Sequence, residues 1–470
     1  MRRTIFALLA ALVMTTVLSA CQTGVTMWGR CAPAAGGNTS GTDGNYVLRC
    51  TAGRWTPVMT VDEYGRLSRG EDVKIAPLPQ PPRPTTTTTP RPAPSTTAAP
   101  STTSTTSTTS TTTTTAPPPP LAVGAADLAG GQQFTCSLTD GAVSCWGRNN
   151  RGQLGNGTTT NSTTPVSTGI TNATHIEAGM EHACATLTDR TVKCWGNGHY
   201  GQVGAGNYQD RTTPATVPGL TGATDLAVGP LHSCALVTGG AAKCWGNNGS
   251  GQLGNGTLWD AQTPTDVTGL TGAIELAAGS GQTCALIDDG TIKCWGNNGN
   301  GELGDGYASG ARSTAPVTVT GIDTAVSIGT GDWYSCAVLA DGTPRCWGYN
   351  GLGNLGDGTT NNASVPVTIP GVSGVTQITG GVYHTCVDGS TVQCWGSGGG
   401  GQLGYGSDDS SLTPVQVQGL SEPVDIAAGT NHTCAIFADD SVRCWGTNSS
   451  GQLGNGSTTY SNVPVTVTFP

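Results

Sequence analysis

Beyond about residue 121 the apolar positions fall in short alternating runs, none of which follows a helical period. One stretch reads Ala223-Thr-Asp-Leu-Ala-Val-Gly229, then Cys234-Ala-Leu-Val237, then Ala242-Lys-Cys-Trp245, then a Thr-Pro segment reaching Val267. Alternation over four to seven residues, interrupted by Gly, Asn and Thr, is the pattern of half-buried strands joined by tight turns. It predicts four strands, near Asp225 to Gly229, Cys234 to Val237, Ala242 to Trp245 and Thr265 to Val267. Gly239-Gly240 supplies a hairpin turn between the second and third strands.

This unit recurs. Cys-Trp-Gly begins at Cys145, Cys194, Cys244, Cys294, Cys346, Cys394 and Cys444, at separations of 48 to 52 residues. A period near 50 with four short strands per unit is the signature of propeller blades, and seven blades close a ring. The expected fold of residues 121–470 is therefore an all-β, seven-bladed β-propeller. Strand alternation places the Gly-x-x-His turns and the long Gly-Gln-Leu-Gly loops on one face. The hairpin turns and the Gly269 to Gly272 connection fall on the other. The final strand, Pro464 to Phe469, is expected to close the ring beside Ala126 to Leu128.

The hairpin register pairs the cysteines. A turn at Asp140-Gly141 sets Leu138 opposite Val143 and Cys136 opposite Cys145, within disulfide range. The same reading gives Cys184–Cys194, Cys234–Cys244, Cys284–Cys294, Cys336–Cys346, Cys386–Cys394 and Cys434–Cys444.

The repeated pattern Ala-x-Gly-x-x-His-x-Cys-Ala-Leu…Cys-Trp-Gly-x-Asn-x-x-Gly-Gln-Leu-Gly-Asn-Gly-Thr resembles the regulator of chromosome condensation repeat family. That resemblance implies a seven-bladed propeller. The family's best-known members are exchange factors for a small nuclear GTPase, a role that export and disulfides argue against here.

The N-terminus sets the compartment. Arg2 and Arg3 precede an apolar run from Ile5 to Leu18, too short to span a bilayer comfortably, which reads as a secretory signal over residues 1–20. Leu18-Ser-Ala-Cys21 resembles the bacterial lipobox, which implies a lipid on Cys21 and a protein held on the outer face of the cell membrane, or secreted. Setting Cys21 aside leaves 16 of the 17 cysteines, an even number suited to an oxidising compartment. Residues 21–75 read as a small module with one disulfide, Cys31–Cys50. Residues 76–120 are Pro, Thr and Ser in the main, a disordered linker whose 45 residues reach roughly 140 Å when extended.

Charge narrows the partners. A net charge of −10 with four lysines in 470 residues repels phosphate backbones, so nucleic acid is excluded. No Cys-x-x-Cys, Gly-x-Ser-x-Gly, His-Glu-x-x-His or Gly-Lys-Ser/Thr motif occurs, and neither cofactor nor metal is expected. The Gly-x-Gly-x-x-Gly matches at Gly249 and Gly299 sit in repeated loops and serve turns. His182, His232, His384 and His432 share one slot, filled elsewhere by Phe134, Gln282 and Tyr334, and read as framework residues. Glu302 and Asp305, where other units carry Gln and Asn, point to a cation site.

Aromatics that break the repeat are the candidate binding residues: Trp259, Trp333, Tyr334, Tyr383, Tyr349, Tyr307 and Tyr200. All fall in or near loops of one face, and exposed aromatics are enriched in interfaces. Trp333 is the expected anchor. The functional expectation is a monomeric, non-enzymatic propeller that binds an extracellular protein or glycan through that face. Two alternatives are an inhibitor parallel to the propeller-type β-lactamase inhibitor proteins and an envelope enzyme acting on polysaccharide.

Overall fold

The computed structural model describes residues 126–470 except 309, 311 and 390, together with the backbone of four short strands nearer the N-terminus. The chain divides into two units, Met1–Ala116 and Pro117–Pro470. In the first unit Gln22–Thr23, Ser40–Thr42, Tyr46–Thr51 and Arg54–Thr60 form one sheet in sequence order. The last two of these strands pair antiparallel, with Cys50 opposite Trp55. Cys21, Cys31 and the residues expected to form the linker lie outside the described residues.

The second unit is a ring of seven four-stranded antiparallel sheets, each built from one contiguous piece of chain. The blades run Asp127–Ser167, Ala173–Thr216, Ala223–Asp266, Ala273–Thr318, Ala325–Thr368, Gln377–Gln416 and Asp425–Thr466, and are numbered I to VII in that order. In blade III the strands are Ala223–Val228, His232–Val237, Ala241–Gly246 and Ala261–Asp266. The first strand of each blade lines the central channel and the fourth lies at the rim.

Ring closure differs from the sequence expectation. The last strand, Ser461–Thr466, pairs with Val442–Gly446 of its own blade, not with the chain near Ala126. Closure comes from side chains: Leu128 and Trp146 of blade I share a buried cluster with Ala427, Cys444, Leu453 and Val467 of blade VII. Phe469 meets Trp146 edge-on at 6.2 Å. Because every blade completes its own backbone ladder, apolar burial and a few cross-blade hydrogen bonds are left to seal the seam.

All seven expected blade disulfides are formed, with Cα–Cα distances of 4.0–4.1 Å. The register is the predicted one, with Cys136 opposite Cys145 and Leu138 opposite Val143. The sulfurs are buried in the cores between blades. One such core joins Cys234, Leu236, Cys244 and Leu253 of blade III to Leu276, Ala285 and Trp295 of blade IV.

The repeated Trp is the wedge of each junction. The Trp295 indole N–H donates to the Gln252 carbonyl in the preceding blade's long loop at 2.8 Å. All seven tryptophans do the same, ending with Trp146 and Gln452 across the seam at 2.9 Å. The second glycine of Gly-Gln-Leu-Gly has two duties. Gly254 has φ +63°, and a Cβ there would lie 2.7 Å from the Trp295 indole nitrogen. Only Gly meets both demands.

Candidate functional site

The histidine slot completes these junctions. His182 Nε2 lies 2.9 Å from Ser233 Oγ, and Ser233 donates to the Gln202 carbonyl at 3.0 Å. His232–Thr283, His384–Thr433 and His432–Thr135 repeat the arrangement, and each hydroxyl again reaches a loop carbonyl of the preceding blade. A carbonyl accepts only, so the hydroxyl must donate to it and the imidazole Nε2 must carry the hydrogen. Phe134, unable to donate, faces blade II, whose equivalent residue is Ala183, and the two share one apolar cluster. The framework reading of this slot holds.

Tyr334 belongs to the same slot, which corrects its place among the binding aromatics. It is wholly buried, and its hydroxyl donates to the His384 carbonyl at 2.6 Å. Burial raises its pKa further above the ordinary phenol value. Two residues after Gly-Asp, the chain turns it inward rather than into the loop.

The other aromatics divide into two groups. Trp333 is half-buried and packs edge-on against Tyr349 at 6.0 Å and tilted against Tyr383 at 6.4 Å. This cluster straddles blades V and VI, so Trp333 has packing partners that compete with its expected role as anchor. Trp259, Tyr307 and Tyr200 are open to solvent, at 82%, 68% and 40% of their surface. They stand on the long loops of blades III, IV and II, three consecutive blades, and Tyr208 of blade II joins them.

The loop that carries Trp259 is wound on one side chain. Asn248 Nδ2 donates to the carbonyls of Thr257 and Trp259 at 3.0 and 3.1 Å, and its Oδ1 accepts from Leu253 N at 3.0 Å. Asn149, Asn350 and Asn448 hold the corresponding loops of blades I, V and VII. The Trp259 backbone is therefore fastened while its ring is free, which lowers the entropy lost on binding. Glu302 and Asp305, read as a possible cation site, serve the same loop geometry. Glu302 accepts from Asn297 Nδ2 at 2.7 Å and from Asn300 N and Nδ2 at 2.8 Å.

The central channel holds what sequence reasoning missed. A cavity of ≈ 280 Å³ runs between the seven inner strands. The residue nine before the first blade cysteine is Asp127, His175, Asp225, Glu275, Ser327, Gln377 or Asp425, so four of the seven are acids at one level. Each acid reaches into the next blade's backbone. Asp127 accepts from Ile176 N, Asp225 from Leu276 N, Glu275 from Ile328 N and Asp425 from Leu128 N, at 2.8–3.2 Å. His175 Nδ1 lies 2.7 Å from Asp127 Oδ2, with Glu177 and Asp225 within 4 Å of its Nε2. Counting back from each cysteine would have revealed this shared position.

Two sets of groups pull stability in opposite pH directions. Burial lowers His182, His232 and His384 to about 3 and His432 to about 4. Unfolded histidines titrate near 6.5, so the unfolded chain takes up protons that the fold refuses, and stability falls as pH drops from about 6.5 toward 3. Desolvation raises Glu177, Glu275 and Asp425 to about 8, with His175 opposing it at Glu177 and Asp127 adding to it at Asp425. These carboxyls keep protons that the unfolded chain releases near pH 4, so their stabilisation is lost as pH rises from about 4 to 8. At His175 burial acts to lower the pKa but its acidic neighbours outweigh it and raise it, which adds to the alkaline loss. Melting temperature should therefore peak between about pH 5 and 6.5, and Glu275→Gln should flatten the alkaline limb. A melting temperature rising steadily from pH 5 to 8.5 would contradict this assignment.

The family model for the "Regulator of chromosome condensation (RCC1) repeat" matches residues 140–186, 192–236, 244–286, 346–387, 391–436 and 439–470. The chain belongs to this family. A second model of the same repeat matches 173–202, 223–252, 273–302 and 424–452. The RCC1 repeat is out of phase with the blade. Residues 140–186 run from the hairpin turn of blade I to the second strand of blade II, so the repeat encloses a junction and its Trp clasp. Comparison with curated protein sequences returns no match.

Solved structures share the fold. Human WBSCR16 is 23% identical with a TM-score of 0.61, covering 67% of this chain and 87% of that one. Yeast RCC1 (Prp20), in a structure with Kap60, is 18% identical with a TM-score of 0.62, covering 74% and 85%. Saccharomyces cerevisiae Prp20p, in a structure reported with its binding to Gsp1p and histones, is 22% identical with a TM-score of 0.57, covering 64% and 80%.

Proposed function

We propose that this RCC1-repeat propeller is a non-enzymatic binding platform, exported and lipid-anchored through Cys21 or secreted, that holds a protein or glycan on its loop face. The observation that carries this reading is the run of exposed aromatics on three consecutive blades, Tyr200, Trp259 and Tyr307, on loops fastened from beneath. Yeast Prp20, similar in fold, is described with Kap60, Gsp1p and histones, so a ring of this kind is a workable scaffold for protein partners. Seven blade disulfides suit an oxidising compartment, in keeping with the signal-like N-terminus. Four channel acids each engage a neighbouring backbone N–H, an arrangement that favours holding blades together over acid–base catalysis.

The test pairs capture with stability. The protein and its Trp259→Ala/Tyr307→Ala variant are immobilised and exposed to native envelope extract, and bound partners are quantified by mass spectrometry. At least one partner should lose tenfold or more, the equivalent of about 1.4 kcal/mol, while the variant's melting temperature stays within about 1 °C. Equal capture by both proteins would refute the loop-face reading.

A further inference from the structure

We propose that the central channel is a binding site for a linear aliphatic dication, a chain bearing two ammonium groups, which enters at the loop-face mouth and lies along the ring axis. This goes beyond partner binding by the loop aromatics and does not depend on it.

Two independent observations support it. The first is a charge deficit. The titratable groups lining the cavity are Asp127 from blade I, His175 and Glu177 from II, Asp225 from III, Glu275 from IV, Asp332 from V and Asp425 from VII, with none from VI. Six carboxyls thus face one imidazole. The second is Asp332, in the turn between the first two strands of blade V at the mouth. Its side chain makes no hydrogen bond or ion pair among the described residues, although only 8% of its surface is exposed. Partial withdrawal of a carboxylate from water without a protein partner is costly, and an incoming cation lowers that cost.

Spacing selects the shape of the ligand. Counting back from the blade cysteines sets Glu177 level with Gly329, three residues before Asp332. Strands rise ~3.3 Å per residue, so the two carboxyls lie at levels up to ~10 Å apart along the axis. A six-carbon diamine matches that span, with one ammonium at the mouth and the other near Glu177 and the acids below it. The walls between are small: Gly331, Gly381 and Gly429 line the cavity, and a Cβ at Gly331 or Gly381 would lie 2.5 or 2.4 Å from the next blade's glycine carbonyl. Slim walls with charge at two depths suit a thin, flexible chain.

Burial holds Asp332 near 6 and Glu177, Glu275 and Asp425 near 8, so a bound dication displaces protons and binds more tightly as pH rises from 6 to 8. Titration calorimetry of the full chain with 1,6-diaminohexane at low salt and pH 8 tests the site, with n-hexylamine as the single-charge control. The diamine should bind at least tenfold more tightly than the monoamine, and affinity should fall at least fivefold at pH 6. Asp332→Asn should bring the two ligands within about threefold of each other while the melting temperature is held or raised. Glu177→Gln gives a second reading should the first variant fold poorly. Absence of diamine binding, equal affinity for the monoamine, or an Asp332→Asn protein that still distinguishes the two would overturn the proposal. So would displacement of the diamine by equimolar Ca²⁺ or Mg²⁺, which would assign the acids to a metal ion.

Discussion

Trp295→Ala should lower the free energy of unfolding by about 3–5 kcal/mol, the range for removing a fully buried aromatic from a core that cannot collapse around the gap. The ring is wholly buried between blades III and IV, lies against Gly254, and has its N–H bonded to the Gln252 carbonyl at 2.8 Å. Neighbouring blades cannot move inward, because each is held by the next around a closed ring. Trp295→Phe separates the two contributions. It keeps most of the apolar surface, and the Gln252 carbonyl retains the Thr283 hydroxyl at 2.9 Å, so the loss should be about 1 kcal/mol. Denaturant midpoints on both variants measure this. A Trp295→Ala protein within about 1 kcal/mol of the parent would show that the junctions do not depend on the indole wedge.

Removing one blade disulfide should also be costly. Cys284 and Cys294 enclose a loop with a sequence separation of 10, which in the chain-entropy model is worth about 3 kcal/mol. The Cys284→Ala/Cys294→Ala double variant should lose that amount, with an unfolding slope altered by expansion of the unfolded chain. Both sulfurs are buried, so reductant should attack the native protein slowly and the partly unfolded protein quickly. Peptide mapping under non-reducing conditions should return only within-blade pairs. A bond between two blades, or a double variant as stable as the parent, would contradict the register.

The features legible in the chain itself were those made by neighbours in sequence. Cys136 and Cys145 meet across a hairpin, so alternation and turn position locate both, and the same arithmetic served all seven blades. The period of the Cys-Trp-Gly motif likewise set the blade count. Contacts between blades were not legible in the same way. His232 meets Thr283 and Asp225 meets Leu276, each 51 residues away, and only the side-by-side stacking of units identifies such partners. The substitution of Phe134 beside Ala183 makes sense only once the polar pair at the other junctions is known.

Exposure also had to be learned from the fold. Trp333 and Tyr334 are adjacent in a loop-like sequence, yet the strand that begins at Tyr334 turns one ring into the junction and leaves the other half-buried against Tyr349 and Tyr383. Trp259 stands free because Asn248 anchors the backbone beneath it. Closing the ring, finally, brings Asp425 to Leu128 across 297 residues and gathers carboxyls from separate blades around one narrow axis. Local sequence determined each blade, because a hairpin's register depends on residues a few positions apart. The channel and its charge exist only after seven blades have met, because no single blade encloses a volume.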